Sequence, residues 1–81
     1  MTKEQLFQYI SEGREIEFEY KGKNYSITYS PSWEDPYISF CEFYQYTSDV
    51  KTPEELIAVE REGVTVLEML ESLPEDKIWI Y

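Results

Sequence analysis

Apolar positions along the chain change their period several times, and each change marks a new element. Leu6, Phe7 and Ile10 recur at helical spacing. Thr2 and Gln5 stand ahead of them in capping-box positions, a hydroxyl at the N-cap and an amide three residues on. Gly13 falls where a left-handed residue ends a helix. The pattern predicts a helix over residues 3–12. From Arg14 to Tyr20 the period drops to two. Ile16, Phe18 and Tyr20 share one face, and Glu15, Glu17 and Glu19 share the other. Lys21-Gly22-Lys23-Asn24 then supplies a turn, after which Tyr25, Ile27 and Tyr29 alternate with Ser26 and Thr28. Two strands joined by a short Gly turn make an antiparallel hairpin, with Tyr20, Tyr25 and Tyr29 on its core face.

Residues 30–36 carry two prolines and read as a loop. Tyr37 to Thr47 reads as a third strand with broken alternation. Ile38 and Phe40 have one parity, Cys41 and Phe43 the other. Either both faces are partly covered, or a bulge near Cys41 and Glu42 shifts the register. Thr52-Pro53-Glu54-Glu55 is a helix start: a capping hydroxyl, a proline at the first helical position, and acids at the positive end of the dipole. That helix is expected to end near residues 60–63. Thr65 and Glu68 repeat the box before Val66, Leu67, Met69, Leu70 and Leu73, a second short helix closed by Pro74. Lys77-Ile78-Trp79-Ile80-Tyr81 is rich in strand formers and is expected to add an edge strand or to pack along the core. The order α-β-β-β-α-α-β predicts a single α+β domain over residues 1–81, a two-layer fold with an antiparallel β-meander sheet and helices on one face.

Composition narrows what such a domain can do. The formal net charge is −10 in 81 residues, from 17 acids and 7 bases. Few, scattered Lys and Arg cannot neutralise a phosphate backbone, so direct binding to nucleic acid is disfavoured, as is an anionic membrane. An aromatic fraction of 17% supplies bulk for a core and argues against disorder. No apolar run approaches the ~20 residues that cross a bilayer. The first residues lack the pattern of a secretory signal. The lone Cys41 leaves the fold independent of disulfides. A cytoplasmic protein is therefore expected.

The chain contains no histidine, which removes imidazole as base, acid or metal ligand. Cys41 reads as a small buried strand residue. The neighbouring acids Glu34-Asp35 and Glu75-Asp76 match no calcium-loop pattern and read as solvated surface. No catalytic residue, metal ligand or cofactor is expected. Two clusters point to binding instead. Glu15, Glu17 and Glu19 would project from one strand face at intervals of roughly 6.8 Å. Their mutual repulsion would be eased in part by Lys21 and Lys23 across the turn. Such a row serves as a solvated face that discourages stray pairing, or as a surface for a basic partner. Trp33, Tyr37 and Tyr44 lie in or beside the loop and the irregular strand, and these residue types dominate binding hot spots.

The stretch from Ser48 through Thr52-Pro53-Glu54-Glu55-Leu56-Ile57, followed by Gly63-Val64-Thr65-Val66-Leu67-Glu68-Met69-Leu70, resembles the C-terminal part of small acidic proteins of low-GC Gram-positive bacteria and their phages. That resemblance implies a bacterial cytoplasmic origin and carries over no functional residue. The α-β-β-β-α opening is also similar in order to double-stranded-RNA-binding domains, but residues 52–55 are acidic where a basic cluster would be needed. The expected function is a non-enzymatic protein-binding or regulatory module whose partner is another protein with a basic surface, with homodimerisation left open. Alternatives are a nucleic-acid mimic acting on a DNA-binding protein, and a carboxylate-based enzyme or divalent-metal binder.

Overall fold

A computed structural model describes residues 1–30, 37–42 and 47–81. Helix α1 (Lys3–Ser11) is followed by β1 (Ile16–Tyr20), β2 (Lys23–Ser30), β3 (Tyr37–Glu42) and β4 (Thr47–Val50). Helix α2 (Pro53–Ile57), a small hairpin of β5 (Glu60–Arg61) and β6 (Val64–Thr65), helix α3 (Val66–Ser72), a 3-10 turn (Glu75–Lys77) and β7 (Ile78–Ile80) complete the chain. The main sheet has the order β4-β3-β2-β1-β7, and every neighbouring pair is antiparallel. The fold is α+β, as the period changes predict.

Local chemistry places each helix. Thr2 accepts from the Gln5 amide at 3.2 Å while the Gln5 side chain accepts from the Thr2 amide at 2.9 Å. Thr65 and Glu68 make the same reciprocal box at 3.2 and 3.1 Å. Thr52 accepts from the Glu55 amide at 3.1 Å, so its cap is present although the Glu55 carboxylate turns to the Thr52 hydroxyl. These caps satisfy amides that a helix start leaves without partners.

Alternation places each strand face. Ile16, Phe18, Tyr25, Ile27, Ile38 and Phe40 point to the helices and join Leu6, Ile10, Leu56, Val66, Met69 and Leu70 in one buried cluster. The rings of Phe18, Tyr25 and Phe40 stack at its centre, with centroids 5.3 Å apart for Phe18–Tyr25 and 5.4 Å for Tyr25–Phe40. Two tight turns of the same kind shape the rest. Lys21-Gly22 joins β1 to β2, and Glu62-Gly63 joins β5 to β6. All four residues have positive φ, from 50° to 82°. Both central positions of a two-residue hairpin of type I′ require this, and its twist matches the strands it joins.

Several expectations need correction. The third strand does not run from Tyr37 to Thr47, because β4 returns antiparallel to β3, with Thr47 opposite Cys41. Thr-Ser-Asp-Val has one large apolar residue and lies at the sheet edge, so no hydrophobic period reveals it. The register of β3 against β2 runs unbroken from Tyr37 to Glu42, with neither a bulge nor a parity change. Residues 43–46, including Phe43, lie outside the described residues. Helix α2 stops at Ile57 rather than near 60–63, and the chain then makes the β5–β6 hairpin. Tyr25 is fully buried as expected, but Tyr29 is 38% exposed. Tyr29 has core parity opposite Ile38, yet it lines an open groove with Phe7, Ser11, Lys51 and Pro53.

Candidate binding face

The three described helices pack against one face of the sheet, so the outward parity of each strand lies on the opposite face. The register fixes what stands there. Along one rung Trp79, Glu17, Ser26, Cys41 and Thr47 follow one another across five strands. Thr28, Ser39 and Asp49 form the next rung, and Glu19 and Asn24 another. The Tyr81 amide donates to the Glu15 carbonyl at 2.8 Å, which extends the β1–β7 pairing by one residue beyond each strand. Glu15, Glu17 and Glu19 therefore lie in file along β1. On one side they are flanked by small polar side chains of β2. On the other side stand Lys77, Trp79 and Tyr81.

Neighbours partly offset the charge of this file. Lys77 Nζ lies 3.5 Å from Glu19 Oε2. Interaction with the Glu17 carboxylate first, then burial and the charge of Glu15, hold the Tyr81 phenol above its usual pKa. The expected partners, Lys21 and Lys23, are elsewhere. Lys21 sits over the Tyr20 ring at 5.4 Å, and Lys23 turns to the helix side. Sequence proximity suggested the lysines of the turn, whereas the lysine that pairs is 58 positions away and arrives with β7.

Of the other candidates, Tyr37 is half-buried and has outward parity at the far end of β3 from Glu42, two strands away from the glutamate file. Trp33 and Tyr44 lie outside the described residues, as does Glu34-Asp35. Glu75-Asp76 is exposed in the 3-10 turn. Cys41 is not fully buried: it is half-buried on the outer face, where it accepts from the Thr47 hydroxyl at 3.6 Å. Among the described residues no group of three or more acidic or sulfur ligands is placed to hold a metal ion, and no helix is long and apolar enough to cross a membrane.

Two features of the site escaped the sequence reading. Trp79 and Tyr81 are 44% and 62% exposed beside the glutamates. Their shared parity opposite Ile78 and Ile80 was the available signal. The second feature lies at the other end of the hairpin. Glu42, only 8% exposed, takes a core-parity position and pairs with Lys23 at 3.8 Å. Lys23 also donates to Glu62. This bond is the main reason that Lys23 is held above its usual pKa and Glu62 below its own. Glu42 follows Ile38 and Phe40 at period two, so only a fold that brings Lys23 beside it explains a carboxylate there. Comparison with models of known protein families, with curated proteins and with solved structures finds no match.

Proposed function

We propose that this chain is a small, acidic, non-enzymatic module that binds another protein through the outer face of its sheet. The observation that carries this reading is the file Glu15, Glu17 and Glu19 beside the exposed rings of Trp79 and Tyr81, on the sheet face that none of the described helices covers. Among the described residues of this face, Lys77 is the cation set against Glu15, Glu17, Glu19 and Asp49. A complementary partner is therefore basic. Exposed Trp and Tyr supply contact area at small entropic cost, and the hydroxyl-bearing floor of β2 and β3 supplies hydrogen-bonding groups. The mixture favours a protein surface over mimicry of nucleic acid. Aromatic rings flank the carboxylates, and Glu19 already holds Lys77.

The test compares two triple variants with equal charge change. Glu15→Gln, Glu17→Gln and Glu19→Gln together should weaken capture of the partner and flatten its salt dependence. Glu54→Gln, Glu60→Gln and Glu71→Gln, all exposed elsewhere, should leave capture nearly intact. Equal loss in both sets would reduce the effect to bulk charge and remove the face from consideration.

A further inference from the structure

The edge of the sheet at β7 differs from its opposite edge. Strand β4 is Thr-Ser-Asp-Val, followed by Lys51, and carries the charged and polar side chains that usually protect an edge. Strand β7 is Ile-Trp-Ile, with no charge or proline inside it. The β1–β7 register, with Tyr81 bonded to Glu15, makes Trp79 and Glu17 the next hydrogen-bonded pair. The backbone groups of Ile78 and Ile80 consequently point away from β1. The Ile78 amide is taken by the Glu75 carbonyl. The Ile78 carbonyl and the Ile80 amide and carbonyl remain, and no described strand pairs with them.

Beside this edge lies a cleft of about 260 Å³, lined by Met1, Gln5, Tyr9, Glu75, Ile78 and Ile80. Gln5 and Tyr9 are one turn apart on the same face of α1. The cleft therefore has a helix as one wall and the helix-facing side chains of the edge strand as the other. An extended segment laid along β7 would place every second side chain in this cleft. The intervening side chains would extend the outer face next to Trp79, within a long side chain's reach of Glu17 and Glu15.

We infer that β7 and the α1 cleft form a strand-addition site for an extended peptide segment of a partner, with apolar residues at one parity and basic residues at the other. The backbone groups of Ile78 and Ile80 supply hydrogen bonds that fix the segment as a strand, and the cleft and the glutamate file read its two faces. A second copy of this chain is a poor occupant, because two chains of net charge −10 repel each other and each would bring its own glutamate file to the edge. The inference deepens the proposed protein-binding reading by naming the form of the partner segment.

The probe is a synthetic peptide alternating Lys and Val, titrated into the intact chain and followed by amide NMR. Binding should shift Ile78, Ile80, Gln5 and Tyr9 and slow hydrogen exchange at the Ile80 amide. A peptide of the same composition in scrambled order, and one with Glu in place of Lys, should bind at least about tenfold more weakly. N-methylation of the probe should act with a period of two. Methyl groups on amides facing β7 should cost about tenfold, and those on the alternate amides little. Ile80→Pro, which removes an amide that faces away from β1, should give the same loss as the facing methyl groups.

No binding, shifts elsewhere, indifference to methylation phase, or concentration-dependent pairing of two chains through β7 would each overturn the inference. The two readings fail separately. Phase-independent binding that still weakens in the Glu15, Glu17 and Glu19 triple variant sinks strand addition and keeps the face. Phase-dependent binding unaffected by that variant does the reverse.

Discussion

Tyr25 offers a quantitative test of how the core is assembled. Its residue is fully buried, and its hydroxyl oxygen has no hydrogen-bond partner among the described residues. A buried hydroxyl without a partner costs about 1–3 kcal/mol in desolvation. Tyr25→Phe removes that group and keeps the ring stacked between Phe18 and Phe40, with centroids at 5.3 and 5.4 Å. One heavy atom is lost, and with it a few contacts of about 0.1–0.2 kcal/mol each. The balance predicts a gain of about 0.5–2 kcal/mol. A domain of this size should translate each kcal/mol into a Tm rise of about 4–8 °C. Urea unfolding followed by tryptophan fluorescence should show a higher midpoint with an unchanged slope. Tyr20→Phe, at a half-buried position, should be near neutral. A loss of about 1 kcal/mol or more for Tyr25→Phe would refute the reasoning, since it would mean that the hydroxyl is satisfied in the folded chain.

The same residue governs an alkaline limb. Burial first, then the charges of Glu42 and Glu62, raise the Tyr25 phenol above its ordinary value of 10.0, against an opposing pull from Lys23 and Arg61. The folded chain then holds the phenolic proton more tightly than the unfolded chain. This contribution is full below pH 10 and lost as pH rises through the folded pKa, so Tyr25→Phe should flatten a plot of stability against pH in that range. The lowered pKa of Glu62 acts in the opposite sense: its contribution is present above pH 4.5 and lost as pH falls through the folded value, and Glu62→Gln should remove that part of the acid limb. Gly22→Ala puts a side chain at φ +79°, with no steric neighbour to blame, and should cost about 1–2 kcal/mol in urea unfolding. Thr65→Ala removes the cap of α3, which carries buried Val66, Met69 and Leu70, and should cost about 1 kcal/mol, whereas Thr65→Ser should restore most of it.

Much of the fold was legible because its signals are local. Capping boxes at Thr2 and Thr65 and the alternation from Ile16 to Tyr20 each depend on residues within a few positions of one another. The same holds for Gly22 in its turn. The polar edge strand β4 escaped, because Thr47, Ser48 and Asp49 gain strand structure only by pairing with β3. The site was legible in half. The file Glu15, Glu17 and Glu19 follows from period two alone. Its neighbours Lys77, Trp79 and Tyr81 belong beside it only because β7 crosses back to β1 rather than pairing with the strand nearest in sequence. Strand order is a long-range choice, and no periodicity encodes it.

The amino-acid sequence by itself thus determined the charge, the absence of imidazole chemistry, the helix starts and the two faces of the β1–β2 hairpin. Each of these is a property of residue type or of spacing along a few residues. Tertiary structure alone decided which lysine meets Glu19, that Cys41 faces outward, that Glu42 sits nearly buried against Lys23, and that an apolar edge lies beside a cleft under α1. Those facts depend on which surfaces the burial of one shared core brings together, and that burial is settled by the whole chain at once.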